Sequence, residues 1–239
     1  MALSEGFFPL GSTSVGTVIY RFKDLFRAVV LDRPNRFIVD ASWEGGKIKC
    51  HLHDPGRLKE LIFPGNSILV RRAAAARTMY RVTAALSGNR WILIDSGIHS
   101  RIASALLRDG FMREVPLSGR RIDFAWQIGG KKIYLEVKGC SLCIDSIALF
   151  PDAPTRRGTE QIKLLTDFAL EGGKAFVLFL VFSEDAASFS PNAATDPDFA
   201  NQLGSFVSAG GKVVTAKFGF REKELVYLGE VSLGRQWSG

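Results

Sequence analysis

The chain has 239 residues, 46% hydrophobic and 11% aromatic, enough apolar side chain for one large core or two small ones and too much for wholesale disorder. Its longest uninterrupted apolar run, Ala175 to Phe182, has the length of a strand and falls well short of the roughly 20 residues that span a bilayer. The net charge of +7 is unevenly spread, with 13 Lys and Arg against 7 Asp and Glu in residues 1–85 but 18 against 17 in residues 86–239. A cationic first third points to a polyanionic partner, with nucleic acid ahead of an anionic membrane surface.

Residues 1–20 lack both the basic start and the sustained apolar run of a signal peptide. Three cysteines suit a reducing compartment better than a disulfide framework, so a cytoplasmic protein is expected. Along the first third, short β-rich runs (RAVVLD, RFIVDASW, KIKCHLH, SILVRRA, MYRVTAAL, WILID) alternate with turn signals at Gly45-Gly46, Pro55-Gly56, Pro64-Gly65 and Gly88-Asn89. That many strands in so short a stretch suggest a small closed barrel. An OB-like barrel over residues 1–85 fits best, although strand spacing alone does not separate it from other small barrels.

The rhythm changes near Ile94. GIHSRIASALLRDG carries Ile98, Ile102, Ala105 and Leu106 at helical spacing, with Gly110 placed to end the helix. Three strand-like runs follow, FMREVPL, RIDFAWQI and KIYLEVKGC. TRRGTEQIKLLTDFALEGG reads as a helix stopped by Gly172-Gly173, and AFVLFLVF as a strand buried on both faces. A last helix has Asp196 as its cap and Pro197 at its first position, before two closing strands. Residues 86–239 therefore read as an α/β domain with a mixed sheet flanked by helices.

The chemistry concentrates on the middle hairpin. If Gly129-Gly130 forms a two-residue turn, Trp126 faces Ile133, Phe124 faces Leu135 and Ile122 faces Val137, one coherent apolar face. On the other face Asp123 then stands across from Glu136, and Arg121 across from Lys138. A turn at Ser118-Gly119 adds Glu114 beside Asp123, a weaker register because Pro116 falls inside the strand. Two carboxylates about 5 Å apart repel by roughly 3 kcal/mol at an effective dielectric of 20. A proton, Arg121 and Lys138, or a divalent cation would relieve that repulsion. Mg²⁺ (or Mn²⁺) held by Asp123, Glu136 and Glu114 fits, with Lys138 placed to hold or deprotonate a water.

Other features carry less. His51 and His53 share a strand face without a third nearby ligand for zinc. Cys140 and Cys143 have C-x-x-C spacing but read as buried free cysteines. Arg36 and Arg57, then Arg71, Arg72, Arg77 and Arg81 around Tyr80, and Arg156 and Arg157 at a helix start, are candidates for nucleic-acid contact.

RIDF followed by EVK resembles the core of the PD-(D/E)xK nucleases. NRFIVD, HLHDPGRLKELIFPG, RIDFAW, LEVKG, LFPDAPTRRG and DPDFANQL resemble the sugar fermentation stimulation protein family, SfsA, over about residues 33–231. The resemblance implies an OB-like domain joined to a nuclease-like domain, and DNA binding with little sequence preference. It also implies either a metal-dependent nuclease or a non-catalytic regulator of sugar (maltose) metabolism. By the same resemblance Asp123 and Glu136 are metal ligands and Lys138 the catalytic lysine. Asp152, Arg157 and Gly158 flank the site, and Gln161 replaces the family's usual histidine. Asp54 stands where the family pattern leads one to expect Asn, adding negative charge. Oligomeric state is left open.

Overall fold

The protein is described by a computed structural model covering residues 8–54, 56–73 and 78–234. Pro55 and Arg77, both singled out in the sequence, lie outside these residues.

The first half contains β1 (Val18–Arg21), β2 (Phe26–Asn35), β3 (Ile38–Trp43), β4 (Gly46–His51), β5 (Ser67–Arg72), β6 (Tyr80–Ser87) and β7 (Arg90–Leu93). β2 pairs antiparallel with β3 and β5, β3 with β4, and β5 with β6. A parallel contact between β4 and β6, through Cys50↔Tyr80 and His51↔Arg81, closes the ring. Five strands in this connectivity form an OB barrel, as expected. Val30, Val39, Ala41, Ile68, Val70, Val82 and Ala84 fill its interior. The last strand of the region, β7, leaves the ring and carries the sheet onward through Trp91↔Phe220.

The second half runs α1 (His99–Leu106), β8 (Met112–Leu117), β9 (Arg120–Ile128), β10 (Lys131–Cys140), β11 (Leu142–Ile144), β12 (Ile147–Phe150) and α2 (Arg156–Leu170). It continues through β13 (Lys174–Val181), β14 (Ser188–Pro191), α3 (Pro197–Ser208), β15 (Lys212–Arg221), β16 (Glu224–Gly229) and β17 (Ser232–Leu233). Its sheet has the order β7-β15-β13-β10-β9-β8, with β10, β13 and β15 parallel and the hairpin β9–β8 antiparallel. Apolar side chains on one face meet α1 and the barrel, and those on the other meet α2 and α3. β13 is buried along nearly its whole length, as a central parallel strand must be.

Local signals explain most of these elements. Asp196 caps α3 by accepting the Phe199 N–H at 3.0 Å, with Pro197 at the first position. Gly129 and Gly130 both take positive φ, 57° and 77°, which suits a tight hairpin between twisted strands. One stop signal acts late: α1 ends at Leu106 rather than at Gly110. Four short strands, β11, β12, β14 and β17, form a second small sheet that the sequence reading did not separate.

Candidate functional site

Both hairpin registers are as the turns dictate. β9 and β10 pair as Ile133↔Trp126 and Leu135↔Phe124, and β8 and β9 as Val115↔Ile122 and Arg113↔Phe124. Pro116 is tolerated because β8 is the edge strand of the sheet. Beyond Phe124 and Leu135, however, the β9–β10 ladder stops. There Asp123 Oδ2 accepts the Val137 N–H at 2.8 Å, and the Asp123 N–H points to Glu136 Oε2 at 3.4 Å. Side-chain oxygens replace the backbone rungs, the strands part, and Ile122 turns to the α2 side with Ile162 while Val137 stays on the α1 side. The single apolar face expected for Ile122 and Val137 is thereby corrected.

Glu136 is 2% exposed. Lys138 donates from Nζ to Glu136 Oε1 at 2.6 Å and to Gln161 Oε1 at 2.9 Å. Gln161, 4% exposed on α2, donates its amide to the Arg121 carbonyl at 3.3 Å. α2 is set in place by Thr155, whose hydroxyl accepts the Gly158 N–H, while the Thr155 N–H donates to Asp196. Burial, and next the charge of Glu136, push the Asp123 carboxyl up to about 7; Lys138 and the Val137 N–H act against that shift. Two acids and one ammonium in a dry site leave an unmatched negative charge, the condition that favours either a bound proton or a cation.

Glu114 lies on β8 at the register position beside Asp123, and its charge is felt there. It is exposed and held at φ 50°, and among the described residues no group of three His, Cys, Asp or Glu is gathered as a metal cage. The arrangement is thus a carboxylate pair with a lysine and an amide, and Glu114 stands at its edge.

The arginine candidates divide. Arg36, Arg57, Arg72, Arg156 and Arg157 are exposed. Arg71 is engaged elsewhere: its Nη2 lies 2.7 Å from Oδ2 of the fully buried Asp95, which Arg81 also approaches at 3.6 Å. Arg156 pairs with Glu160 at 3.2 Å, and Arg120 binds the same carboxylate. His53 reaches Ser96 at 3.0 Å. Cys50, Cys140 and Cys143 are free, with Cys140 fully enclosed and its thiol pushed upward by burial.

Sequence reasoning missed the half-buried His99. Its ring lies 5.1 Å from that of Phe182 and packs on Gly139, where a β-carbon would stand 2.1 Å from His99 Cε1. No periodic signal marks that contact. Burial also lowers the His99 pKa to about 4, so the ring stays neutral. Asp54, read as added negative charge, is pushed up to about 7 by burial and then by Asp152, which lessens its charge at neutral pH.

Fold and site together define a two-part α/β protein, an OB barrel whose sheet continues into a mixed-sheet domain carrying a buried glutamate, a half-buried aspartate, a lysine and an amide. Residues 31–94 match the SfsA N-terminal OB domain, and residues 92–224 the sugar fermentation stimulation protein RE domain. The chain belongs to the sugar fermentation stimulation protein family, SfsA. A sugar fermentation stimulation protein homolog of Thermoplasma volcanium is 47% identical over 210 residues, covering 88% of this chain and 95% of that one. One from Saccharolobus solfataricus is 42% identical over 219 residues, covering 91% and 90%. Among solved structures, that of Pyrococcus furiosus SfsA in complex with Ca²⁺ superposes with a TM-score of 0.85 at 23% identity, over 91% of this chain and 99% of that chain.

Proposed function

We propose that this protein binds nucleic acid, DNA foremost, with little sequence preference, and that its second domain is a metal-dependent phosphodiesterase of the PD-(D/E)xK type. The observation that carries the reading is the meeting of half-buried Asp123 and Lys138 with buried Glu136 and Gln161 at the place where the β9–β10 ladder opens. With β11 and β12 set aside in the small second sheet, the order α1-β8-β9-β10-α2-β13, with β13 parallel to β10, matches the αβββαβ order of the nuclease core.

The residues fit a hard divalent cation of the Mg²⁺ or Mn²⁺ type. Carboxylate oxygens are its preferred donors, and the Asp123 carboxyl is raised first by burial and then by the charge of Glu136 beside it. Asp123 and Glu136 would hold the ion, with Glu114 at the open edge as an outer acid. When bound, such an ion supplies Lewis-acid polarisation of a phosphate oxygen. Gln161 fixes the Lys138 ammonium by its amide oxygen, so Nζ is aimed before substrate arrives. Engagement of Glu136 elsewhere frees one Nζ hydrogen to hold a phosphate oxygen or a water. Arg156 and Arg157, at the first turn of α2, would neutralise phosphates, aided by the helix N-terminus. The Ca²⁺ in the Pyrococcus furiosus complex supports a cation-binding capacity in this fold. Three free cysteines suit a cytoplasmic setting.

The direct test incubates pure protein with labelled single- and double-stranded DNA, and with RNA, in Mg²⁺ or Mn²⁺. Cleavage lost on Asp123→Ala is expected, and cleavage surviving it removes the assignment. One observation favours a second reading, a non-catalytic DNA-binding regulator of sugar metabolism: Lys138 already neutralises Glu136, so the pair can stand without an ion. A regulator of that kind binds DNA equally well in EDTA and cuts nothing.

A further inference from the structure

The loop between β4 and β5 begins and ends in the barrel but touches the second domain on its way, and it is gripped from both sides. From β2, Arg33 Nη2 donates to the carbonyls of Arg36 at 3.1 Å and Gly56 at 3.0 Å, and its Nη1 donates to that of Arg57. From beyond β12, Asp152 Oδ2 accepts the Leu58 N–H at 3.1 Å, a contact 94 residues apart in sequence. Within the loop, Asp54 Oδ1 accepts the Gly56 N–H at 2.8 Å. Leu58 is 1% exposed, which anchors the far end, while Arg57 between the two grips faces solvent.

Gly56 is the point where the two carboxylates meet. A β-carbon there would stand 2.4 Å from Asp152 Oδ2 and 2.8 Å from Asp54 Oδ1. No side chain fits, and two acidic groups share one small space. Asp54 faces Asp152, Arg33 and Asp95, and Glu60 is felt by Asp152's other neighbour, Arg33. Arg33 is the cation closest to hand, but its Nη groups are committed to three carbonyls and its Nε is buried without a partner. A proton on Asp54 relieves their repulsion without moving the loop.

We propose that Asp152 and Asp54 form a proton-dependent clasp that docks residues 56–58 on the second domain and so positions Arg57 along the nucleic-acid path. The clasp is closed when Asp54 is protonated and loosens when Asp54 loses that proton. This rests on the nucleic-acid reading above, and Asp54 and Asp152 act as positioning residues that need touch no substrate. The direction in pH follows from the Asp54 carboxyl, raised from 3.8 to about 7 by burial and then by Asp152. A group raised in the docked form favours docking fully at acid pH. Docking therefore weakens as pH climbs from about 4 to about 7 and levels off above that.

The test uses the full chain in EDTA. Amide exchange at Gly56 and Leu58, corrected for the intrinsic effect of pH, is followed from pH 5 to 8.5, alongside the affinity of a labelled oligonucleotide. For the native chain, protection at both amides and affinity should fall several-fold up to pH 7 and then flatten. Asp54→Asn should be flat in both readouts, and Asp152→Ala should be unprotected at Leu58 at every pH, with affinity as low as that of Arg57→Ala. Protection independent of pH in the native chain, or pH dependence kept by Asp54→Asn, overturns the clasp. Oligonucleotide binding absent at every pH, with pH-dependent protection intact, overturns Arg57's role and the nucleic-acid reading while the docking contact stands.

Discussion

Lys138 Nζ sits 2.6 Å from Glu136 Oε1, two residues earlier on the same face of β10. With the two side chains 12% and 3% exposed, this pair is largely out of water, and neither member tolerates the loss of the other. Lys138→Met removes the ammonium that Glu136, buried, and Asp123, half-buried, share. The expected loss is about 3–5 kcal/mol of unfolding free energy, the range for breaking a buried pair. Chemical denaturation measures it, and adding Glu136→Gln in the same chain should recover much of the loss. A loss that the second change leaves untouched would show that the pair is not coupled.

Stability in metal-free solution should depend on pH through Asp123. Its carboxyl is raised in the fold from 3.8 to about 7, so the folded form holds the proton more tightly than the unfolded chain. Stability is then greatest near pH 4, falls as pH rises to about 7, and changes little from this source above that. Asp123→Asn should flatten part of this slope in denaturant titrations at pH 5, 6, 7 and 8. Added Mg²⁺ should raise the melting temperature of the native chain at pH 8 and leave that of Asp123→Asn unchanged.

Gly139, next to Lys138, is held against the His99 ring. Gly139→Ala should cost about 1–3 kcal/mol, since the new β-carbon falls inside the ring's van der Waals boundary. Combining it with His99→Ala should cost less than the two single changes added together, a coupling that a double-mutant cycle reads directly.

Arg71 and Arg72 are neighbours with separate duties. Arg71→Ala leaves Asp95, fully buried, with Arg81 at 3.6 Å as its remaining cation, and should lower the melting temperature by several degrees. Arg72→Ala, at an exposed position, should leave melting unchanged. If Arg72 meets a phosphate, its removal lowers the slope of log affinity against log salt by about 1.

The central hairpin was legible because two-residue glycine turns fix register, and register decides which side chains share a face. Asp123 and Glu136 could be placed together from the numbering alone. The parting of the strands at Phe124 and Leu135 could not, since it depends on a side-chain oxygen taking the Val137 N–H in three dimensions. The barrel's closure was visible as a density of strands, but the parallel contact that completes it, Cys50↔Tyr80, joins residues with no shared local pattern. Arg71 and Arg81 looked like Arg72 because a run of arginines does not announce which of them find a buried acid. Asp54 and Asp152 lie 98 positions apart, and only folding brings both against Gly56.

The joint between the halves is a shared β-ladder, β6 to β7 to β15, rather than a linker. Trp91 sits in that ladder opposite Phe220, a residue near the far end of the chain. The barrel is therefore no detachable cassette. Expressing it alone would bare an edge that recruits other strands, and transplanting it onto another domain would require that domain to offer a matching strand.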